Sequence, residues 1–382
     1  MENISVESIC IHSGTSNANG TSGVNTPIYA SSSFHYRDTQ ENIYPRYFNT
    51  INQNAIVEKL CALEGTEDGL VMSSGMAAIS TTLLSLLKPS DHAVFFNEIY
   101  GGTYNLVISE FSKLGIEYTF VDLNQPGALE NAIKENTKLI YVESPSNPLL
   151  TIVDIKAIAR TAKDRNLLTV IDNTFASPIN QNPVRLGIDV VVHSGTKYLG
   201  GHSDLCFGAI LTTKILKESI LKSALNFGGS INALDSYLIE RSLKTLALRV
   251  ERQSENAQLI AEFLERTSKV KKVYYPGLPT HENHAVAKEQ MKGFGGMLSF
   301  EIASSNLQEV NRFLDNLQLI QPALSLGGVE TIICSPVLTS HIKVPKEERE
   351  RVGITDGLLR LSVGAENVKD LIVDLKQALE KL

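Results

Sequence analysis

Four segments carry side chains whose types and spacing suit chemistry. Val71-Met72-Ser73-Ser74-Gly75-Met76 reads as a strand that ends in two serines and a glycine just before a helix. Ser74 is placed to cap that helix, and the N–H groups of Gly75 and Met76 then face outward at its positive end, as a cup for a phosphate. This is not a Walker loop, because GxxxxGK[ST] does not occur in the chain. Thr169-Val170-Ile171-Asp172 sets a carboxylate at the end of an apolar strand, where burial is costly unless a cation meets it. His193-Ser194-Gly195-Thr196-Lys197 ends another strand in two hydroxyls and a lysine. A lysine of lowered pKa at the bottom of a crevice condenses with a carbonyl. Ile99-Tyr100-Gly101-Gly102 puts an aromatic ring at a strand–helix junction.

Taken singly, each segment also reads as ordinary structure: an N-cap, a turn Asp, a solvated loop Lys and a packing Tyr. Together, an anion cup, a strand-end Asp and a strand-end Lys 25 residues later suit pyridoxal 5'-phosphate. That cofactor needs an amine to condense with, an acid opposite its ring nitrogen and a site for its phosphate. On this reading Asp172 keeps the ring nitrogen protonated, Ser194 and Thr196 bond the phosphate, and Tyr100 stacks on the ring.

The elements that must position these groups alternate along the chain. Strands are expected at 70–73, 93–96, 138–143, 167–171 and 189–193, with helices at 76–87, 103–114 and 155–165. Such alternation marks an α/β fold with a mostly parallel central sheet flanked by helices. The continuous apolar runs LIYV, LLTVI and VVV fit strands buried on both faces. Ligands gather at the C-terminal ends of such strands, where all four segments fall. A long helix is expected over 233–264, then a smaller C-terminal α+β domain with elements at 270–274, 297–301, 307–317 and 368–382. The expected organisation is an N-terminal arm (1–60), poor in periodicity and packed on a neighbouring subunit, a large domain (61–250) and a small domain (251–382).

Composition limits the alternatives. The chain has 382 residues, 43% of them hydrophobic and 20% charged, which excludes disordered, collagenous and coiled-coil classes. A net charge of −7 gives a nucleic-acid role no electrostatic support. The four cysteines, Cys10, Cys61, Cys206 and Cys334, form no CxxC pair, so neither a zinc ribbon nor a disulfide framework is expected. MENISVESICIHSG lacks the basic and apolar regions of a signal peptide, and no apolar run reaches membrane-span length, so no membrane partner and a cytoplasmic location are expected. His281-x-x-His284 has no third ligand in view and reads as loop structure, so no metal is expected.

The chain resembles the Cys/Met-metabolism (trans-sulfuration) family of pyridoxal-phosphate enzymes. The blocks that carry the likeness are Asp172-Asn173-Thr174-Phe175, Ser194-Gly195-Thr196-Lys197-Tyr198, Gly201-His202-Ser203-Asp204 and Tyr275-Pro276-Gly277-Leu278-Pro279. The likeness runs from Pro27-Ile28-Tyr29 to Arg360-Leu361-Ser362-Val363-Gly364. It implies the aspartate-aminotransferase fold (fold type I) and a homotetramer of two catalytic dimers. It implies Lys197 as the residue that holds the cofactor and shuttles protons, Asp172 as the ring-nitrogen partner, and Tyr100 as the stacking ring and acid at the leaving group. Gly75, Met76, Thr174, Ser194 and Thr196 resemble the cofactor cradle. Tyr44 and Arg46 match a Tyr-x-Arg pair that reaches the neighbouring subunit's phosphate. Arg360 resembles the clamp on the substrate α-carboxylate, where a planar bidentate donor fits best, and Asn147 and Ser325 match other substrate positions.

Departures from the family pattern bear on the reaction. Cystathionine-handling relatives place an acid where this chain has Ile43, an Arg where it has Asn105, and a Glu where Leu324 precedes Ser325-Leu326-Gly327-Gly328. Burying the ammonium and carboxylate at the far end of cystathionine without partners would be costly. An apolar far end suits Ile43 and Leu324 better. The resemblance therefore implies a C–S lyase that works by γ-elimination, like methionine γ-lyase or cystathionine γ-lyase, and yields a 2-oxo acid, ammonia and a thiol. The alternative is γ-replacement, as in cystathionine γ-synthase or O-acylhomoserine sulfhydrylases, and β-elimination by a cystathionine β-lyase ranks third. The family's Tyr-Ser-Arg-x-x-Asn-Pro-Thr reads here Tyr44-Pro45-Arg46-Tyr47-Phe48-Asn49-Thr50-Ile51, and Tyr47 and Phe48 add bulk near the site mouth.

Overall fold

The computed structural model describes residues 4–15, 23–37, 40–304, 306–339, 342 and 346–382. Two compact units emerge, Met1–Glu143 with Asp154–Ala247, and Ser144–Val153 with Leu248–Leu382.

The larger unit contains, in chain order, α1 (Val6–His12), α2 (Ile51–Glu64), β1 (Asp68–Met72), α3 (Gly75–Leu86), β2 (His92–Phe96), α4 (Gly101–Leu106), β3 (Glu117–Val121), α5 (Ala128–Ala132), β4 (Thr137–Glu143), α6 (Ile155–Asp164), β5 (Leu168–Asp172), α7 (Ser177–Asn180), β6 (Val190–Ser194), β7 (Gly208–Thr212), α8 (Lys214–Phe227) and α9 (Ala233–Leu243). Its seven strands lie in the order β1-β7-β6-β5-β4-β2-β3. The run from β3 to β6 is parallel, and β7 lies antiparallel to β6 and β1. Every residue of β2 and β7 is buried, so both faces of the sheet are covered, as their apolar sequences require.

Local chemistry sets the element ends. Ser74 Oγ caps α3 by accepting from Ala77 N–H at 3.0 Å, and Asp154 caps α6 by accepting from Ala157 N–H at 2.9 Å. A capping box of Thr50 and Gln53 starts α2, and Gly65 at φ 81° stops it.

Three expectations need correction. Residues 1–60, read as an arm poor in periodicity, contain the helix α1 and the start of α2; residues 1–3, 16–22 and 38–39 of that stretch lie outside the described residues. The helix expected over 103–114 keeps α-geometry only to Leu106, passes into a five-residue π-helical turn over Val107–Phe111, then a tighter turn ended by Gly115 at φ 69°. The helix expected over 233–264 breaks after Leu243. There Lys244 and Thr245 bond the carbonyls three residues back, and Thr245 Oγ1 also takes the Ser242 carbonyl at 3.2 Å, so a hydroxyl competes with the helical ladder.

The smaller unit contains α10 (Leu246–Glu265, which starts at the boundary), β8 (Val270–Tyr274), α11 (His284–Gln290), β9 (Met297–Ile302), α12 (Leu307–Asp315), β10 (Gln321–Pro322), β11 (Ile332–Cys334), α13 (Lys346–Arg351), β12 (Leu358–Ser362) and α14 (Val368–Leu379). Its sheet has the order β10-β11-β12-β9-β8 and is antiparallel except for the β10–β11 pair. Ala257, Ile260, Ala261 and Leu264 form a helical stripe on α10 that packs with Phe300, Phe313, Leu361 and Leu375. Each large side chain buried there contributes about 1.5–3 kcal/mol. Among the described residues, no helix is long and apolar enough to cross a membrane.

Candidate active site

Because β4, β5 and β6 are parallel, their last residues share one edge of the larger unit's sheet, and these are Glu143, Asp172 and Ser194. Asp172 is register partner to Glu143 on one side and Val192 on the other. Its carboxyl is buried, and Oδ1 accepts from Thr174 N–H at 3.0 Å. Burial pushes this carboxyl above the usual range, while the Thr174 bonds and the charge of His193 pull the other way. The ends of β5 and β6 are tied together where Ser194 N–H donates to Thr174 Oγ1 at 2.8 Å.

From Ser194 the chain turns into Lys197. Lys197 N–H donates to the Ser194 carbonyl at 3.2 Å, and Gly201 N–H donates to the Lys197 carbonyl at 2.7 Å. Thr196 and Phe207 hold each other: Thr196 N–H donates to Phe207 O at 3.2 Å, and Phe207 N–H to Thr196 Oγ1 at 3.1 Å. The N-terminus of α3 lies against this turn so closely that a Cβ on Gly75 would stand 2.7 Å from Ser194 Cβ. A Cβ on Gly102 would stand 2.4 Å from the Tyr100 ring and 2.9 Å from Met76 Sδ. Tyr100 opens α4, its ring half-exposed and its N–H donating to Glu143 Oε2 at 2.7 Å. Contact by contact, the larger unit thus joins Gly75, Ser194, Thr174, Asp172, Glu143, Tyr100 and Met76 into one ring, with Thr196 and Lys197 on the turn that leaves it.

Tyr44 and Arg46 stand apart from that ring within their own chain. Tyr44 N–H donates to Asn49 Oδ1 at 3.1 Å. The Arg46 guanidinium lies 5.9 Å and 5.4 Å from the Tyr44 and Tyr47 ring centroids and donates to the Leu225 carbonyl. Asn105 is exposed on α4.

In the smaller unit, Arg360 on β12 is buried, with Nη1 donating to Asn147 Oδ1 at 3.0 Å and Nη2 to the Ser325 carbonyl at 2.9 Å. Its Nε–H has no partner, and no carboxylate among the described residues pairs with it. Ser325 sits at φ 82°, and Leu324 before it is 68% exposed. Gly327 N–H on Ser362 Oγ at 2.8 Å anchors the same loop to β12. His281 and His284 serve their loop: Asn283 N–H donates to His281 Nδ1, and His284 Nδ1 donates to the Pro276 carbonyl.

Sequence reasoning missed Glu143 and Phe207. Glu143 ends an apolar strand as Asp172 does, so the same strand-end rule points to it. Phe207 carries no local signal, since its role is to fit the space that Gly195 leaves, where a Cβ would meet its ring at 2.2 Å.

The donor set fits a phosphorylated pyridine aldehyde on the structure's own terms. The helix terminus at Gly75 has no room for a side chain, the Asp172 carboxyl is buried at a strand end, and a lysine follows on the turn. Known proteins agree. A model of the family described as Cys/Met metabolism PLP-dependent enzyme matches residues 7–380. The chain is 46% identical over 381 residues to a cystathionine beta-lyase of Lactococcus lactis subsp. cremoris, covering 99% of each chain. It is 44% identical over 387 residues to an L-methionine gamma-lyase of Fusobacterium nucleatum subsp. nucleatum, covering 97% of each. A crystal structure of cystathionine gamma-lyase from Lactobacillus plantarum, complexed with L-serine, superposes with a TM-score of 0.94 at 40% identity, covering 99% of each chain.

Proposed function

The chain belongs to the Cys/Met metabolism family of PLP-dependent enzymes, and from that premise we propose that it cleaves the C–S bond of a sulfur amino acid by γ-elimination. With one water consumed, the products are a 2-oxo acid, ammonia and a thiol. Pyridoxal phosphate, when bound, supplies the electron sink that makes loss of protons from Cα and Cβ accessible.

The protein's own groups do the rest. Lys197 would hold the cofactor through its amine; that amine, when free, would take the proton from Cα, and after giving it up would take one from Cβ. Asp172 would face the ring nitrogen as its counter-charge. Gly75, Met76, Ser194 and Thr196 take the phosphate, with Thr174 bracing Ser194. Tyr100 covers the ring and gives a proton to the leaving sulfur, its backbone held by Glu143. Arg360 takes the substrate α-carboxylate on the Nε–H that the fold leaves unused, while Asn147 and the Ser325 carbonyl hold the guanidinium plane. Tyr44 and Arg46 bond nothing in the ring of their own chain, and we place them at the phosphate of a second copy in a homotetramer.

The observation that carries the choice of reaction is Leu324. A largely exposed apolar side chain stands one residue from the carbonyl that Arg360 bonds, and it offers no charge to the far end of a substrate. Ile43 and Asn105 add no charge. The identity to a cystathionine beta-lyase favours a second reading, β-elimination from cystathionine. A substrate panel with product identification separates them. We expect L-methionine to give 2-oxobutanoate, ammonia and methanethiol. Pyruvate and homocysteine from L-cystathionine, with methionine inert, would establish β-elimination instead. Consumption of an acylhomoserine only when a thiol is present would establish γ-replacement.

A further inference from the structure

Strand β9 is buried along its whole length, yet it carries a hydroxyl at its third position. Ser299 is 0% exposed, and its Oγ donates to the Pro148 carbonyl at 2.6 Å. Proline has no N–H, so that carbonyl is the one group through which Pro148 can be hydrogen-bonded. The residue before it, Asn147, accepts on Oδ1 from Arg360 Nη1 at 3.0 Å.

Strand register brings these two bonds together. Ser299 on β9 and Arg360 on β12 are partners in an antiparallel pair. Such partners point to the same face of a sheet, and their neighbours along each strand point to the other. Leu298, Phe300, Leu359 and Leu361 take the face that packs in the core. The hydroxyl and the guanidinium therefore stand side by side on the opposite face, and each bonds one of two consecutive residues in the 144–153 segment.

Three bonds close that segment on itself. Ser146 N–H donates to the Thr151 carbonyl at 3.0 Å, Leu150 N–H to the Ser146 carbonyl at 3.1 Å, and Thr151 N–H to Ser146 Oγ at 3.1 Å. They shape the loop but do not seat Asn147 on the sheet. Gln290 Nε2 reaches the segment at its far end, on the Val153 carbonyl at 3.1 Å. The Ser299 bond falls on the residue next to Asn147. Asn147 in turn fixes the guanidinium plane, because Arg360 gives one terminal nitrogen to it and the other to the Ser325 carbonyl, which leaves Nε–H unused. A planar donor grips a carboxylate only when its plane is correctly set.

We infer that Ser299 is a positioning residue for substrate binding, on the reading that Arg360 takes the substrate α-carboxylate: its hydroxyl seats the Asn147–Pro148 pair so that Asn147 holds the guanidinium in the plane the carboxylate needs. A purely mechanical role, in which Ser299 only satisfies a buried carbonyl, predicts a different outcome.

Ser299→Ala separates the two. The holoenzyme is titrated with L-norleucine, an amino acid without a leaving group, and with n-pentylamine, the same carbon chain without the carboxylate. Binding is read from the visible absorbance of the cofactor. We expect the norleucine Kd of Ser299→Ala to rise about tenfold, with the pentylamine Kd within about twofold of the parent and Tm within a few degrees. Ser299→Thr keeps the hydroxyl on a strand suited to β-branched side chains and should restore norleucine binding. In an Arg360→Met background, Ser299→Ala should add no further loss, because the residue it acts through is gone. If Arg360→Met weakens norleucine binding while Ser299→Ala does not, the inference falls and the Arg360 reading stands. If Arg360→Met binds norleucine like the parent, the Arg360 reading falls and takes the inference with it. Equal losses for both ligands, or a Ser299→Ala variant that melts far below the parent, assign the bond to the fold and overturn the inference. Equal norleucine losses in Ser299→Thr and Ser299→Ala trace the effect to packing at position 299 rather than to the hydroxyl, and overturn it as well.

Discussion

Replacing Arg360 by methionine removes a buried cation that meets no carboxylate among the described residues. Desolvation of such a group costs several kcal/mol. Its two hydrogen bonds, to Asn147 Oδ1 and the Ser325 carbonyl, return about 1.5–3 kcal/mol each, and leaving those acceptors bare costs about 1–3 kcal/mol each. Relief and loss are of similar size, so the net change in stability is within about 2 kcal/mol. For 382 residues the unfolding entropy is about 0.8 kcal/mol/K, so Tm should move by less than about 3 °C. Substrate recognition has no such offset. A carboxylate that loses a buried charged partner loses about 2–5 kcal/mol, which is roughly 30- to 5,000-fold in kcat/KM. Arg360→Lys keeps the charge but not the planar fork, and should lose about 10- to 100-fold. The assay is 2-oxo acid release over a range of substrate concentrations, paired with the Kd of an amine analogue that lacks the α-carboxylate. Arg360→Met should leave that analogue's Kd unchanged. Equal loss for analogue and amino acid, or a Tm fall beyond about 8 °C, would show that Arg360 serves the fold rather than the substrate.

Lys59 is wholly buried with Nζ on the Cys10 and Ile11 carbonyls, and burial lowers its pKa to about 8. Between about pH 8 and 10.5 the unfolded chain keeps a proton that the folded one has released, so stability should rise with pH there by about 3 kcal/mol, or roughly 4 °C in Tm. Lys59→Met should lack that rise, and parallel Tm–pH curves for variant and parent would contradict it. Gly75→Ala sets a Cβ 2.9 Å from the Ser194 Cα, and overpacking of about 1–3 kcal/mol outweighs a helix gain of about 1 kcal/mol. Its Kd for pyridoxal phosphate, read by titration of the apoprotein, should rise about tenfold, and an unchanged Kd would remove the phosphate cup from that helix end. Lys197→Ala should abolish turnover while phosphate contacts still retain part of the cofactor; full turnover in that variant would refute the assignment.

Much of the larger unit was legible because parallel strands buried on both faces must be apolar, and three of them, β4, β5 and β6, end in a polar group at the ligand edge. That is why Asp172, Ser194 and Lys197 stood out. Helix α2 was not legible for the converse reason: Asn52, Gln53, Lys59 and Glu64 are all buried, so its sequence shows no polar face. The capping box at Thr50 and Gln53 was the available signal. Strand β3 is only half-buried, and its EYTFV lacks the continuous apolar character of its neighbours. The Glu64 contacts to Asn173 and His193 span 109 and 129 positions, a range over which sequence spacing is silent. Leu324 was picked out by comparison of motifs, since nothing in its own surroundings marks it.

The smaller unit is assembled from two stretches of chain, and this has a bearing on how the protein is made. Asn147 leaves the ribosome 213 residues ahead of Arg360. At about 5–20 residues per second, that is roughly 10–40 s in which the 144–153 strap exists before its strand β12 does. The later stretch, supplied alone as a fragment from residue 248 onward, would carry the guanidinium without the amide that steadies it. Any scheme that divides the gene at that boundary should therefore yield an arginine held by the Ser325 carbonyl alone, and a carboxylate grip that is slack from the start.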